Sequence, residues 1–156
     1  MVSLLPIAAD DPRARALLAE YFQMRGEAFP MGQTYRPVFP DAATFTPPAG
    51  IFLLVVDDDG RDVGCGGIRR IADGPGGVRY EVKHLYLAPA TRGRGWGRVL
   101  LEGLEAQARE WDAADLVLDT HHTLEAAGSL YARSGFTATE PYNDNPNATV
   151  WYRKAL

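Results

Sequence analysis

The chain has 156 residues, 46% hydrophobic and 23% charged, with a formal net charge of −4. That is the size of one domain with one core, residues 1–156, and an acidic balance argues against a nucleic-acid partner, which calls for a basic excess. One cysteine, Cys65, excludes an internal disulfide framework and fits a reducing cytoplasm, while the short apolar run of "MVSLLPIAAD", broken by Pro6 and lacking a basic flank, predicts neither a signal peptide nor a membrane anchor.

"SLLPIA" reads as a first strand. Asp11 followed by Pro12 predicts an N-cap with proline at the first helical position, and Leu17, Leu18, Tyr21, Phe22 and Met24 then recur at helical spacing. The helical signal is lost in "GEAFPMGQTYRPVFPDAATFTPPAG", whose bulky residues predict an ordered loop with a short helix. "IFLLVVDDDGRDVGCGGIRRI" predicts two strands around an Asp59-Gly60 turn, and "ADGPGG" a second turn into the long strand "VRYEVKHLYLAP". Strict alternation along that strand sets Glu81, Lys83 and Leu85 on one face and His84 on the other, unless a bulge intervenes. "GWGRVLLEGLEAQAREW" is an amphipathic helix, with Val99, Leu100, Leu104, Ala108 and Trp111 on or near one face. "DLVLD" is a short buried strand. "TLEAAGSLYARSGF" is a helix with Thr123 as N-cap and Gly135 as its left-handed stop, and "NATVWYRKAL" a last strand. The order, β-α-loop-β-β-β-α-β-α-β-β, is that of an α/β protein with a mixed sheet and helices on its faces.

Where the long strand hands over to a helix, Arg92, Arg94 and Arg98 alternate with Gly93, Gly95 and Gly97. Free N–H groups at a helix start, the helix dipole and glycines that admit close approach make an anion site, suited to phosphate or pyrophosphate. The dinucleotide fingerprint fits poorly, because Arg98 stands where the third glycine belongs, and no Gly-Lys-Ser/Thr of a P-loop is present.

"RGRGWG" at 92–97 resembles the Q/R-x-x-G-x-G/A loop of the GNAT superfamily of N-acetyltransferases, and "LYARSGF" resembles that superfamily's LY-x-x-x-GF segment. The resemblance covers residues 50 to 137 well and the ends loosely. It implies a mostly antiparallel sheet with a splayed parallel strand pair and helices on both faces. It also implies acetyl-coenzyme A as co-substrate and no metal. The diphosphate would rest on main-chain N–H groups of Arg92, Gly93, Arg94, Gly95, Trp96, Gly97 and Arg98. The pantetheine arm would pair with Leu85, Tyr86 and Leu87.

By the same resemblance, Tyr131 matches the tyrosine that gives a proton to the departing sulfur; the alternative is a core tyrosine. Glu81, eleven residues before Arg92, matches the glutamate base of some members; a salt bridge with Lys83 or an arginine, or simple substrate binding, stays equally open. Leu124 stands where many members carry an asparagine that contacts the cofactor. Tyr35, Arg36 and Tyr142 lie on segments free to line the acceptor side. His121 and His122 follow Asp119 at a strand end; on an extended segment their rings point apart, so no metal pair is expected. Cys65 reads as a small buried side chain. The function implied is transfer of acetyl to a primary amine, first of a small molecule and second of a peptide, with no nucleic-acid or membrane partner. A homodimer, a non-catalytic acyl-coenzyme A sensor and an NAD(P) oxidoreductase remain as alternatives.

Overall fold

The Asp11 carboxylate accepts a hydrogen bond from the Arg13 amide at 2.9 Å, and Pro12 opens α1 (Pro12–Ala28), as the sequence predicts. These details come from a computed structural model, which describes residues 1–32 and 34–156. Ala14, Leu17, Leu18, Phe22 and Arg25 form the buried stripe of α1, so the 3.6-residue period carries one charged residue inward. Among the described residues no helix is long and apolar enough to cross a membrane.

The strands are β1 (Val2–Pro6), β2 (Gly50–Asp57), β3 (Asp62–Gly74), β4 (Gly77–Leu87), β5 (Asp115–Thr120), β6 (Thr137–Thr139) and β7 (Val150–Ala155). They form one sheet in the order β1-β2-β3-β4-β5-β7-β6. Every neighbouring pair is antiparallel except β4 and β5. Alternation sends Ile51, Leu53 and Val55 to one face, against Leu100, Leu101 and Leu104 of α2 (Trp96–Glu110). Phe52 and Leu54 go to the other, against Leu17, Leu18 and Phe22 of α1. The loop before β2 contains a short 3-10 helix, Ala43–Phe45, whose Phe45 closes on Phe52 at 5.7 Å between ring centroids.

Several local expectations change. The turn after β3 is only Pro75-Gly76, because the antiparallel pairing of β3 with β4 continues to Gly74 and Gly77. Val99 is 40% exposed, since the sheet meets α2 along Leu100, Leu101, Leu104 and Ala108, one position round the helix. α3 (Glu125–Arg133) starts without a side-chain cap, because the Thr123 hydroxyl is bound to His121 Nδ1 at 2.7 Å instead. Gly135 does adopt the left-handed conformation after α3, with φ 90°.

The parallel pair is stapled at its start by a buried charge. Asp115, fully enclosed, accepts Arg79 Nε at 3.0 Å, Arg79 Nη2 at 2.8 Å and Arg153 Nε at 2.6 Å, tying β4, β5 and β7 together. Burial alone would push this carboxyl up, but the two guanidinium groups outweigh it and hold it below the ordinary carboxylate value. With the folded pKa depressed, the stabilisation is complete above the unfolded value and fades as pH falls through the folded one. Asp115→Ala leaves two cations without their counter-charge, and should lower unfolding free energy by about 3–5 kcal/mol in urea titration at neutral pH; an unchanged midpoint would remove the staple from this account.

Candidate active site

β4 and β5 pair only from Arg79–Asp115 to Glu81–Val117. Beyond Glu81 they part, and among the described residues the β5-facing edge of 82–87 has no strand partner. The register of β4 against β3 also slips here: Lys83 faces Gly67 and Tyr86 faces Cys65, so two residues of β4 stand against one of β3. His84 takes up the extra residue with φ 58°, a bulge in a conformation uncommon for side chains other than glycine. The bulge resets alternation. Leu85 and Leu87 join Val82 on the α2 side, and His84 lies on the α1 side with Glu81, at 5.7 Å from Phe22. Both face assignments from strict alternation are thereby corrected.

The parted strands open into a cavity of about 1410 Å³. Leu85, Tyr86, Leu87, Arg92, Gly93, Gly95, Trp96, Gly97 and Arg98 line it. Arg94 does not; its guanidinium lies 5.2 Å from the Trp96 ring. Gly93 and Gly95 have φ of 83° and 79°, and Gly95 caps α2 without any side-chain bond. The first helical bond runs from Val99 N to Gly95 O, so the amides of Trp96, Gly97 and Arg98 precede the helical ladder. Gly97 has another reason to be glycine: a Cβ there would lie 3.2 Å from Leu130 Cδ2, so it lets α2 close on α3. A chain edge with free peptide groups running into an uncapped helix start suits an extended amide-bearing arm that ends in a diphosphate.

Tyr131 is buried on α3 and lines the same cavity. Among the described residues its hydroxyl has no hydrogen-bond partner, and burial pushes its pKa above the ordinary phenol value. Glu81 is 1% exposed and does not reach the cavity wall. Its Oε1 accepts Arg69 Nε at 2.8 Å, its Oε2 accepts the Tyr142 hydroxyl at 2.6 Å, and Lys83 Nζ lies 3.7 Å away. Tyr142 is therefore turned onto Glu81, whereas Tyr35 and Arg36 do line the cavity. Lys83 reaches across the opening to Asp119 at 3.0 Å, and Asn143 donates to Asp119 at 2.7 Å. Burial raises the Asp119 pKa, but Lys83 and Asn143 outweigh it, leaving the net value low. Burial, with Lys83 and Arg69 nearby, pushes His84 down to about 3.

His121 and His122 stack at 4.5 Å between centroids, contrary to the expectation that their rings diverge; β5 ends at Thr120, so strand alternation does not govern them. The Thr123 amide donates to His121 Nδ1 at 3.3 Å, which assigns the proton to a buried Nε2 without a partner. Among the described residues no group of three or more His, Cys, Asp and Glu side chains could hold a metal. The sequence reading missed Lys83, Arg25 and Asn143 as cavity-lining groups. Arg25 had a signal, its place three residues after Phe22 on the apolar stripe. Asn143 had another: alternate asparagines form turns, with Asn145 N on Asn143 Oδ1 at 3.2 Å and Asn147 N on Asn145 Oδ1 at 3.0 Å.

Comparison with known proteins agrees with this geometry. The Acetyltransferase (GNAT) family matches residues 13–136. An uncharacterised N-acetyltransferase of Schizosaccharomyces pombe is 32% identical over 98% of this chain and 92% of its own length. The IAA acetyltransferase of Azospirillum brasilense is 32% identical over 87% of this chain and 86% of its own. A crystal structure of an acyl-CoA N-acyltransferase from Klebsiella pneumoniae superposes with a TM-score of 0.77 at 31% identity, over 100% of this chain and 98% of that one.

The left-handed backbone at Gly95 is testable. Gly95→Val forces a β-branched residue to positive φ, at a cost of roughly 1–2 kcal/mol. Calorimetric titration with coenzyme A should show affinity reduced by about tenfold or more. Wild-type affinity would show that the αL cap is not needed.

Proposed function

The chain belongs to the GNAT family of acetyltransferases, and on that premise we propose that it acetylates the primary amine of a small molecule by direct attack within a ternary complex. Acetyl transfer from acetyl-coenzyme A is the family's reaction, and the chain is an acyltransferase. The observation that carries the finer reading is the continuity of the unpaired β4 edge, the uncapped start of α2 and the Tyr131 ring around one cavity. The relative from Azospirillum brasilense is named for IAA rather than for a protein, which supports a small acceptor. We take residues 1–156 as one domain acting in the cytoplasm, consistent with a free, buried Cys65.

When bound, acetyl-coenzyme A supplies a thioester carbonyl carbon as the electrophile. The amides of Trp96, Gly97 and Arg98 hold its diphosphate, and the peptide groups of 82–87 align its amide-bearing arm. Tyr131 keeps its proton at neutral pH and directs it to the sulfur as that atom gains charge, then recovers a proton from water. Of the two roles open to Glu81, the structural one has the support of geometry: its oxygens are occupied by Arg69 and Tyr142, and it does not face the cavity. It anchors Arg69, Lys83 and Tyr142. The amine gives two protons to water, one as it becomes a free amine before attack and one from its nitrogen as the amide forms, because the groups on this part of the wall are held far from neutrality: His84 at about 3, Asp119 low, and Tyr131 high.

Two measurements bear on this mechanism. Tyr131→Phe should lower kcat by about 10²-fold with the affinity for acetyl-coenzyme A retained, and wild-type turnover would return Tyr131 to the core. The kcat/KM for an acceptor should rise with pH up to that amine's own pKa, without an enzyme-derived plateau at the imidazole value of about 6.5. A plateau shared by amines of different pKa would require a protein base.

A further inference from the structure

Among the described residues three charged residues are buried, Glu81, Asp115 and Arg25, and the side chain of Asp119 is only 5% exposed. Glu81 is bound by Arg69 and approached by Lys83, and Asp115 is bound by Arg79 and Arg153. Arg25, 8% exposed, has no carboxylate partner among the described residues. The one residue outside the description is Gln33, which brings no charge. Arg25 donates to the Tyr21 hydroxyl at 3.0 Å and to the Asn147 carbonyl at 3.2 Å, and its guanidinium lies 5.1 Å from the Tyr35 ring. All of these partners are neutral. They satisfy part of the donor set and offset part of the desolvation, but they leave a buried cation uncompensated.

Arg25 also lines the catalytic cavity, on the side formed by α1 and the loop that follows it. Asn147 joins the two walls there. Its carbonyl receives Arg25, its Nδ2 donates to the Arg36 carbonyl at 3.0 Å, and its Oδ1 accepts the Arg36 amide at 3.3 Å. The Arg36 side chain, exposed at the mouth, has no ion pair among the described residues. The other cations of this half are already matched, Arg69 by Glu81 and Lys83 by Asp119. Of the other carboxylates on the wall, Asp41 is exposed and bound to Thr44, and Glu125 belongs to the first turn of α3, on the opposite side from α1.

Resting on the acetyltransferase reading above, we infer that Arg25 is an anion subsite selecting acceptors that carry a carboxylate beside the amine, so that the substrate class is the amino acids rather than simple amines. A guanidinium still has N–H donors free beyond those on Tyr21 and Asn147, and a planar carboxylate takes such donors in pairs. One buried cation matches one negative charge, which favours a carboxylate over a phosphate dianion. The Tyr21, Phe22 and Tyr35 rings around it present an apolar wall to the carbon skeleton. Arg36 at the mouth adds attraction for the incoming anion, weakened by solvent.

The test pairs glycine, β-alanine, γ-aminobutyrate and a set of apolar and aromatic L-amino acids with their own carboxamides. Amine-dependent release of coenzyme A thiol is compared after correction for each amine's ionisation. For at least one pair the acid should exceed its amide by roughly 10- to 100-fold in kcat/KM, the range of a charge-assisted hydrogen bond. Arg25→Gln should collapse that ratio to about one, and Arg25→Lys should restore part of it. Unaltered acetyl-coenzyme A affinity in both variants shows that they fold. Turnover of amides equal to that of acids, or a preference that survives Arg25→Gln, overturns the subsite while leaving the acetyltransferase intact. If no amine releases thiol, the proposed activity fails, and the subsite is read by titrating the same acids and amides into coenzyme A-saturated protein. Acid-selective binding lost in Arg25→Gln then supports it, and absence of such binding overturns it.

Discussion

The separation of β4 from β5 is the constraint on which the rest of this structure depends. Three residue pairs hold the two strands parallel, from Arg79–Asp115 to Glu81–Val117, and then the ladder stops. Unpaired peptide groups inside a fold are costly, so an edge left open in a sheet's centre needs partners from outside the sheet. The bulge at His84 makes the opening compatible with a packed core. By adding one residue it turns Leu85 and Leu87 toward α2, where they pack with Leu100 and Leu130, and leaves the cavity open on the α1 side.

Charge placement follows the same line along the parting strands. At the closed end Asp115 draws Arg79 and Arg153 onto one carboxylate, locking the pair where it must not open. Just beyond, Glu81 gathers Arg69, Tyr142 and Lys83, and Lys83 spans to Asp119 at the open end. The Glu81 carboxylate is enclosed with both oxygens hydrogen-bonded, an arrangement that holds its neighbours in place and that no run of consecutive residues announces. His84, neutral down to about pH 3, belongs to the same economy: its ring fills space among Tyr21, Phe22 and Phe45.

Much of the fold was legible because its signals are local. The Asp11-Pro12 start of α1, the Asp59-Gly60 turn, the Gly135 stop and the alternation of β2 each need only a few consecutive residues. Where legibility failed, a distant contact had intervened. Thr123 gave up its cap for His121, and Val99 turned outward because the sheet meets α2 one position away. The five-residue β1 was visible, but the three-residue β6 was not located, since it exists by pairing with β7 and buries none of its own residues. At the cavity, the uncapped glycine-rich start of α2 was readable from consecutive residues, whereas the partners of Glu81, Tyr142 and Arg25 were not.

By itself the sequence determined the order of elements, the glycine-rich strand-to-helix junction and the chemistry available there, because main-chain conformation and anion affinity at a helix start are set by neighbouring residues. Tertiary structure alone decided which charges are neutralised. Glu81 and Arg69 are twelve residues apart, Asp115 and Arg79 thirty-six, and Arg25 and its Asn147 carbonyl 122. Whether a buried ion finds its counter-charge depends on what the fold brings within a few ångströms of it, and sequence spacing carries no such information. Arg25 is the one buried ion here that the described chain surrounds only with neutral groups, at the wall of the cavity.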